Sequence, residues 1–106
     1  MGDGVFENCT DLDNVKLPKN IERIPDRTFA GCTSLRKFEM SDTVVAIGEK
    51  AFFGCSSMDI IVIPESVQQI GANAFVGTNK LFIIQCAFGS YAEEYARKHK
   101  IKYQLI

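Results

Sequence analysis

Phe52-Phe53-Gly54-Cys55-Ser56-Ser57-Met58-Asp59-Ile60-Ile61-Val62-Ile63-Pro64 is one copy of a pattern that this chain of 106 residues carries four times. Working outward from Phe52 in steps of 23 residues meets Phe29 and Phe6 on one side and Phe75 on the other. Three residues after each phenylalanine stand Cys9, Cys32, Cys55 and Thr78, and six residues after come Leu12, Leu35, Met58 and Leu81. Val15, Phe38, Ile61 and Ile84 follow at the same period, then Leu17, Met40, Ile63 and Cys86. Pro18 and Pro64 close the unit, with Ser41 and Ala87 in their place in the second and fourth copies. A fixed period of this length marks a solenoid, because one unit cannot bury its own apolar face and must stack on its neighbours.

The alternation Val15-x-Leu17, Phe38-x-Met40 and Ile61-x-Ile63 has period two and predicts a short strand with one buried face. Stacked in parallel at about 4.8 Å, the copies turn the Phe6/Phe29/Phe52/Phe75 and Cys9/Cys32/Cys55 columns into continuous ladders. A second cluster, Ile21/Ile24, Val44/Ile47 and Val67/Ile70, predicts an extended segment on the opposite wall of each coil. Gly48 and Gly71 follow it and predict a positive-φ turn, whereas Pro25 requires another geometry in the first copy. The reading is a single α/β solenoid domain over residues 1–106, of four coils of about 23 residues starting near 6, 29, 52 and 75, with a parallel sheet on one face.

The pattern changes over residues 87–106, which read as a C-terminal cap. Ser90-Tyr91-Ala92-Glu93 fits a capping box at a helix start, Ala92, Tyr95, Ala96 and His99 share one helical face, and Ile101-Lys102-Tyr103 reads as a last strand. No comparable cap precedes Val5 and Phe6, so the chain reads as a fragment of a larger protein that begins inside an array, with self-association through the first coil as one consequence.

Twelve basic and 13 acidic residues are spread along the chain for a net charge of −1, which excludes a global field for nucleic acid or anionic membranes. No run approaches the roughly 18 apolar residues of a spanning helix, so membrane insertion is not expected, and Met1-Gly2-Asp3-Gly4 lacks the features of a signal peptide.

Candidate chemistry is sparse, and neither a metal nor any other cofactor is expected. Cys9, Cys32 and Cys55 occupy a column that suits a small buried side chain. Disulfides between stacked coils satisfy the distance but match the dihedral poorly, and zinc requires four convergent ligands where a ladder is linear and its fourth rung is Thr78. His99 is remote in sequence from every cysteine, and Arg97, Lys98, Lys100 and Lys102 complement a helix C-terminus. No set of acid, base and nucleophile converges, so an enzyme is not expected.

Ile47-Gly48-Glu49-Lys50-Ala51-Phe52-Phe53-Gly54-Cys55-Ser56-Ser57-Met58, Ile63-Pro64-Glu65-Ser66-Val67-Gln68-Gln69-Ile70-Gly71 and the tail Gly89-Ser90-Tyr91-Ala92-Glu93-Glu94-Tyr95-Ala96 resemble the BspA-like, or Treponema pallidum-type, leucine-rich repeats. The resemblance covers residues 5 to 103 and departs at Pro25, Ser41 and Thr78. It implies a leucine-rich-repeat solenoid, a cell-surface or secreted location, and adhesion to host matrix or cell-surface proteins.

The strand residues that point away from the core carry the remaining information. Arg36, Lys37 and Glu39 are charged, whereas Ile60, Val62, Phe82 and Ile83 are apolar, so the expected face passes from polar to apolar along the array. A contiguous exposed apolar surface marks an interaction site, unless loops or the cap cover it. Two functions follow: a protein-binding face formed by these seven residues, or a structural spacer with no ligand of its own.

Overall fold

The computed structural model describes residues 2–106. In chain order the elements are β1 (Asn14–Lys16), β2 (Arg23–Ile24), β3 (Lys37–Glu39), β4 (Ala46–Ile47), β5 (Ile60–Val62), β6 (Gln69–Ile70), β7 (Ile83–Cys86), α1 (Tyr91–Lys98) and β8 (Lys102–Leu105). The odd strands up to β7, followed by β8, form the front wall of a solenoid, and β2, β4 and β6 form its back wall in one parallel sheet. Register repeats the sequence period: Val15 lies opposite Phe38, Ile24 opposite Ile47, Ile47 opposite Ile70, and Ile61 opposite Ile84.

Between the walls run the phenylalanines. Phe6–Phe29, Phe29–Phe52 and Phe52–Phe75 stack at 5.5, 5.7 and 5.4 Å with planes within 10° of parallel. Phe29, Phe52 and Phe75 are buried, while Phe6 ends the ladder half-open to solvent. At about 1.5–3 kcal/mol for each buried ring, this column supplies much of the cohesion of so short an array.

Gly48 and Gly71 do not adopt positive φ, contrary to the expectation for that column. Left-handed residues form two other columns, Gly4/Arg27/Lys50/Asn73 and Asn8/Gly31/Gly54/Gly77. Glycine is needed at 48 and 71 for a different reason: a Cβ there would lie 2.6 Å from Asp26 N and 2.5 Å from Glu49 N of the preceding coil. These glycines let two backbones approach at the end of the back wall, and Gly48 N–H donates to Ile24 C=O at 2.7 Å across that contact.

The front wall is not continuous. It consists of a β1–β3 pair and a β5–β7–β8 sheet, and no ladder joins β3 to β5. At β1–β3, Lys37 N–H donates to Asp13 C=O and Leu17 N–H to Glu39 C=O; at β5–β7, Ile83 N–H donates to Asp59 C=O and Ile63 N–H to Gln85 C=O. The corresponding donors at the seam, Ile60 N–H and Met40 N–H, make no backbone bond among the described residues. The cause lies in one column. Phe38 occupies the position held by Val15, Ile61 and Ile84, and its ring stands edge-on to Phe29 and Phe52 at 5.0 and 4.8 Å. The step between those two rings is 5.7 Å, close to the 5.5 and 5.4 Å of the neighbouring steps.

The fourth coil departs from the predicted columns. Leu81 is 69% exposed, and Phe82 takes its place in the core at 7% exposure, 5.4 Å from Phe75. Phe82 N–H bonds Asn79 C=O, where Met58 N–H bonds Cys55 C=O one coil earlier. The loop has slipped by one residue because Asn79 holds it at both ends, its N–H on Met58 C=O and its Oδ1 accepting from Leu81 N–H. Thr78 takes part in the slip: its hydroxyl donates to Phe75 C=O of its own coil, whereas the Cys55 thiol reaches back to Phe29 C=O of the coil before.

Helix α1 closes the C-terminal end. Ser90 Oγ accepts from Glu93 N–H at 3.2 Å, and Glu93 Oε1 accepts from Gly89 N–H at 2.7 Å, one residue earlier than the usual reciprocal arm of a capping box. Ala92, Tyr95 and Ala96 are buried, with Tyr95 against Phe75, while His99 is exposed at the helix end, its ring 4.3 Å from that of Tyr95. β8 then pairs in parallel with β7, placing Tyr103 opposite Ile84. No helix among the described residues is long and apolar enough to cross a membrane.

Candidate binding face

The front wall presents two outward columns, because successive strand side chains point to opposite faces. One runs Asn14, Lys37, Ile60, Ile83, Lys102 and the other Lys16, Glu39, Val62, Gln85, Gln104. Arg36, Lys37 and Glu39 are exposed, Ile60 and Val62 are each 42% exposed, and Ile83 is half-buried. Five of the seven residues expected on the face, Lys37, Glu39, Ile60, Val62 and Ile83, stand in these columns, and Arg36 is exposed just before β3. Phe82 is not: its aromatic ring fills the core, and its side chain shares the inward direction of Ile84 and Cys86.

The result is an apolar island of Ile60, Val62 and Ile83 between a charged patch on β1 and β3 and a polar margin beyond β7. That margin is tied by a bond from Gln85 Nε2 to Gln104 Oε1 at 2.7 Å. Sequence reasoning missed the opening beside the island. A cavity of about 390 Å³ sits at the C-terminal ends of β1 and β3, lined by Lys16, Leu17, Lys19, Phe38, Glu39, Met40 and Ser41 and bordered by Val62 of β5. A pattern of apolar and polar residues does not register such an opening.

The face carries charge without internal pairing. The ion pairs among the described residues are Arg23–Asp26 at 3.8 Å and Arg97–Glu93 at 3.2 Å, both away from it. Lys16, Lys19, Arg36 and Lys37 make none, so their charge is offered to solvent or to a ligand.

The cysteines take no part in this face. All four are free, and Cys32 and Cys55 donate through sulfur to Phe6 C=O and Phe29 C=O at 3.1 and 3.2 Å. Burial raises the thiol of Cys32, and burial reinforced by the neighbouring Cys32 pushes Cys55 up to about 12. Burial likewise raises Cys86. These thiols stay protonated at neutral pH, whereas the thiolate is the nucleophile and the metal ligand, and those of Cys32 and Cys55 join adjacent coils.

The same fold and repeat are found in known proteins. Residues 1–96 match the family described as the BspA type leucine rich repeat region (6 copies). The chain belongs to this family. The BspA-type domain is similar to a leucine rich cell surface protein of Faecalibacterium prausnitzii, with 35% identity and a TM-score of 0.76 over 80% of this chain and 22% of that one. It is also similar to a leucine-rich repeat protein of Bacteroides capillosus, with 31% identity and a TM-score of 0.73 over 81% of this chain and 61% of that one. The leucine rich repeat protein of T. pallidum shows 26% identity and a TM-score of 0.58 over 80% of this chain and 50% of that one. The BspA-type domain thus corresponds to between about a fifth and three fifths of these neighbours' length. No curated protein matches it by sequence.

Proposed function

We propose that this BspA-type domain is a non-enzymatic protein-binding module, of an adhesive kind, displayed at a cell surface. The observation that carries the reading is the island of Ile60, Val62 and Ile83, apolar and open on a wall whose other outward residues are charged or amide-bearing. Burying such a patch against a partner recovers about 25 cal/mol per Å² of apolar area, and the charged residues beside it add selectivity for the partner. The surface location rests on the Faecalibacterium neighbour, which is described as a cell surface protein.

Pull-down of matrix and cell-surface proteins with the folded domain, beside an Ile60→Asp/Val62→Asp double variant, tests the reading. Both side chains are open to solvent, so the variant keeps its fold, and a partner captured by the wild type is expected to be lost from it. Capture that survives the double change would move the site elsewhere. Capture of nothing by either protein would favour a spacer that holds other domains at a distance.

A further inference from the structure

The cavity at the C-terminal ends of β1 and β3 combines features that point to a ligand of particular chemistry. It is lined by apolar Leu17, Phe38, Met40 and Val62 together with Lys16, Lys19 and Glu39. The charge is lopsided as well. Together with the neighbouring depression formed by Asp13, Asn14, Arg36 and Lys37, this part of the wall carries four cations and two carboxylates, a surplus of two positive charges on a chain of net −1.

Resting on the reading of this wall as a protein-binding surface, we propose that this cavity and the cations beside it form a docking groove for an extended, acidic polypeptide segment. One apolar side chain of the segment enters the cavity over Phe38 and Val62. Flanking carboxylates meet Lys16 and Lys19 at one end and Lys37 at the other. Lys37 and Lys16 sit at opposite ends of neighbouring three-residue strands, so about 10 Å of extended chain, roughly three residues, spans the distance between them. A sulfated or carboxylated glycan satisfies the cations but brings no apolar side chain for the cavity. A polypeptide brings both.

The test is an array of fluorescein-labelled peptides, with phenylalanine, leucine or alanine at the centre and glutamate, serine or lysine on the flanks, titrated against the domain by fluorescence anisotropy with heparin in parallel. Glutamate-flanked peptides centred on phenylalanine or leucine are expected to bind about ten-fold more tightly than serine-flanked ones, and the preference is expected to shrink with added salt. A Lys16→Glu/Lys37→Glu double variant, changed only at exposed positions, is expected to lose about ten-fold in affinity while keeping its circular dichroism spectrum and melting temperature. Equal binding whatever the flank, no binding by any peptide, affinity unchanged in the double variant, or preference for heparin over every peptide would each overturn the proposal. The pull-down separates the two levels. A surface protein captured in an Ile60- and Val62-dependent way while the array stays blank leaves the binding module standing and removes only the acidic-peptide groove.

Discussion

In the back wall, β2, β4 and β6 pair without interruption over Ile24, Ile47 and Ile70, whereas in the front wall the ladder stops between β3 and β5. Both walls come from the same 23-residue unit, the back wall with three strands and the front wall with five. The difference lies in side-chain volume. The back wall repeats isoleucine in its inward column and places glycine where adjacent backbones approach. The front wall admits one aromatic side chain into an aliphatic column and loses its ladder beside it, while β3 and β5 remain neighbours. A solenoid whose stability is a sum of nearest-neighbour interfaces tolerates such a local fault, because each interface is made separately. The fault lies on the wall that also bears the exposed apolar residues, which is why the same region emerges as the candidate site.

The largest expected effect tests what belongs to the front wall's surface and what to its core. Phe82→Ala is expected to destabilise the domain by about 3–5 kcal/mol, since it removes a buried ring packed on Phe75. Leu81→Ala, one residue away and exposed, is expected to change stability by less than about 0.5 kcal/mol. Urea denaturation of the two variants decides the matter. Equal costs would mean that the fourth coil has not slipped.

That slip shows where reading the sequence stopped. The phenylalanine ladder, the two walls, the capping helix and the closing strand all follow from one period, because burial recurs in register and composition displays it. The fourth coil keeps the period at Leu81, yet Asn79 shifts the loop, and no count of spacings from Phe75 detects a one-residue slip. Counting back from the strand does: Phe82-x-Ile84-x-Cys86 alternates in the manner of buried residues, and equivalent positions 13, 36 and 59 are polar only because the strand starts at the surface there. Ile60 and Val62 were legible by the same parity. The seam was not, because apolar patterning treats Phe38 and Ile61 as equivalent while packing distinguishes their volumes. Glycine at 48 and 71 was visible, but its reason was not, since a close approach and a left-handed turn leave the same mark in sequence.

A smaller effect sharpens the back wall. Gly48→Ala puts a methyl against the backbone of Asp26, which cannot rotate away, and is expected to cost about 1–3 kcal/mol. Gly89→Ala makes a useful contrast. A Cβ there meets nothing within 4 Å, so its cost is that of a left-handed alanine, about 1–2 kcal/mol, and arises from φ alone. The two are separable by where they act. Loss at Gly48 is expected to raise amide exchange at Gly48 and at Val45, whose N–H donates to Glu22 C=O across the same interface, while loss at Gly89 is confined to the start of α1. Exchange rising only around α1 in both variants would remove the close-approach explanation.

The smallest expected change in stability bears most directly on the comparison. Phe38→Ile restores the aliphatic column, so β3 and β5 are expected to close and Ile60 N–H and Met40 N–H to find Arg36 C=O and Val62 C=O, the partners that the other strand pairs use. Each new backbone bond contributes about 0.5–1.5 kcal/mol. Against this stands the loss of a ring packed edge-on to Phe29 and Phe52, whose contacts are worth about 0.5–1.5 kcal/mol each beyond area burial. These terms offset one another, and the net change is expected to stay within about 1.5 kcal/mol, as for hydrophobic exchanges that repack. Hydrogen exchange reads the event more clearly than stability does: the amides of Ile60 and Met40 are expected to become protected in the variant and to exchange quickly in the wild type. Protection at both amides in the wild type would show that the front wall is already continuous, and the volume of Phe38 would then explain nothing about the seam.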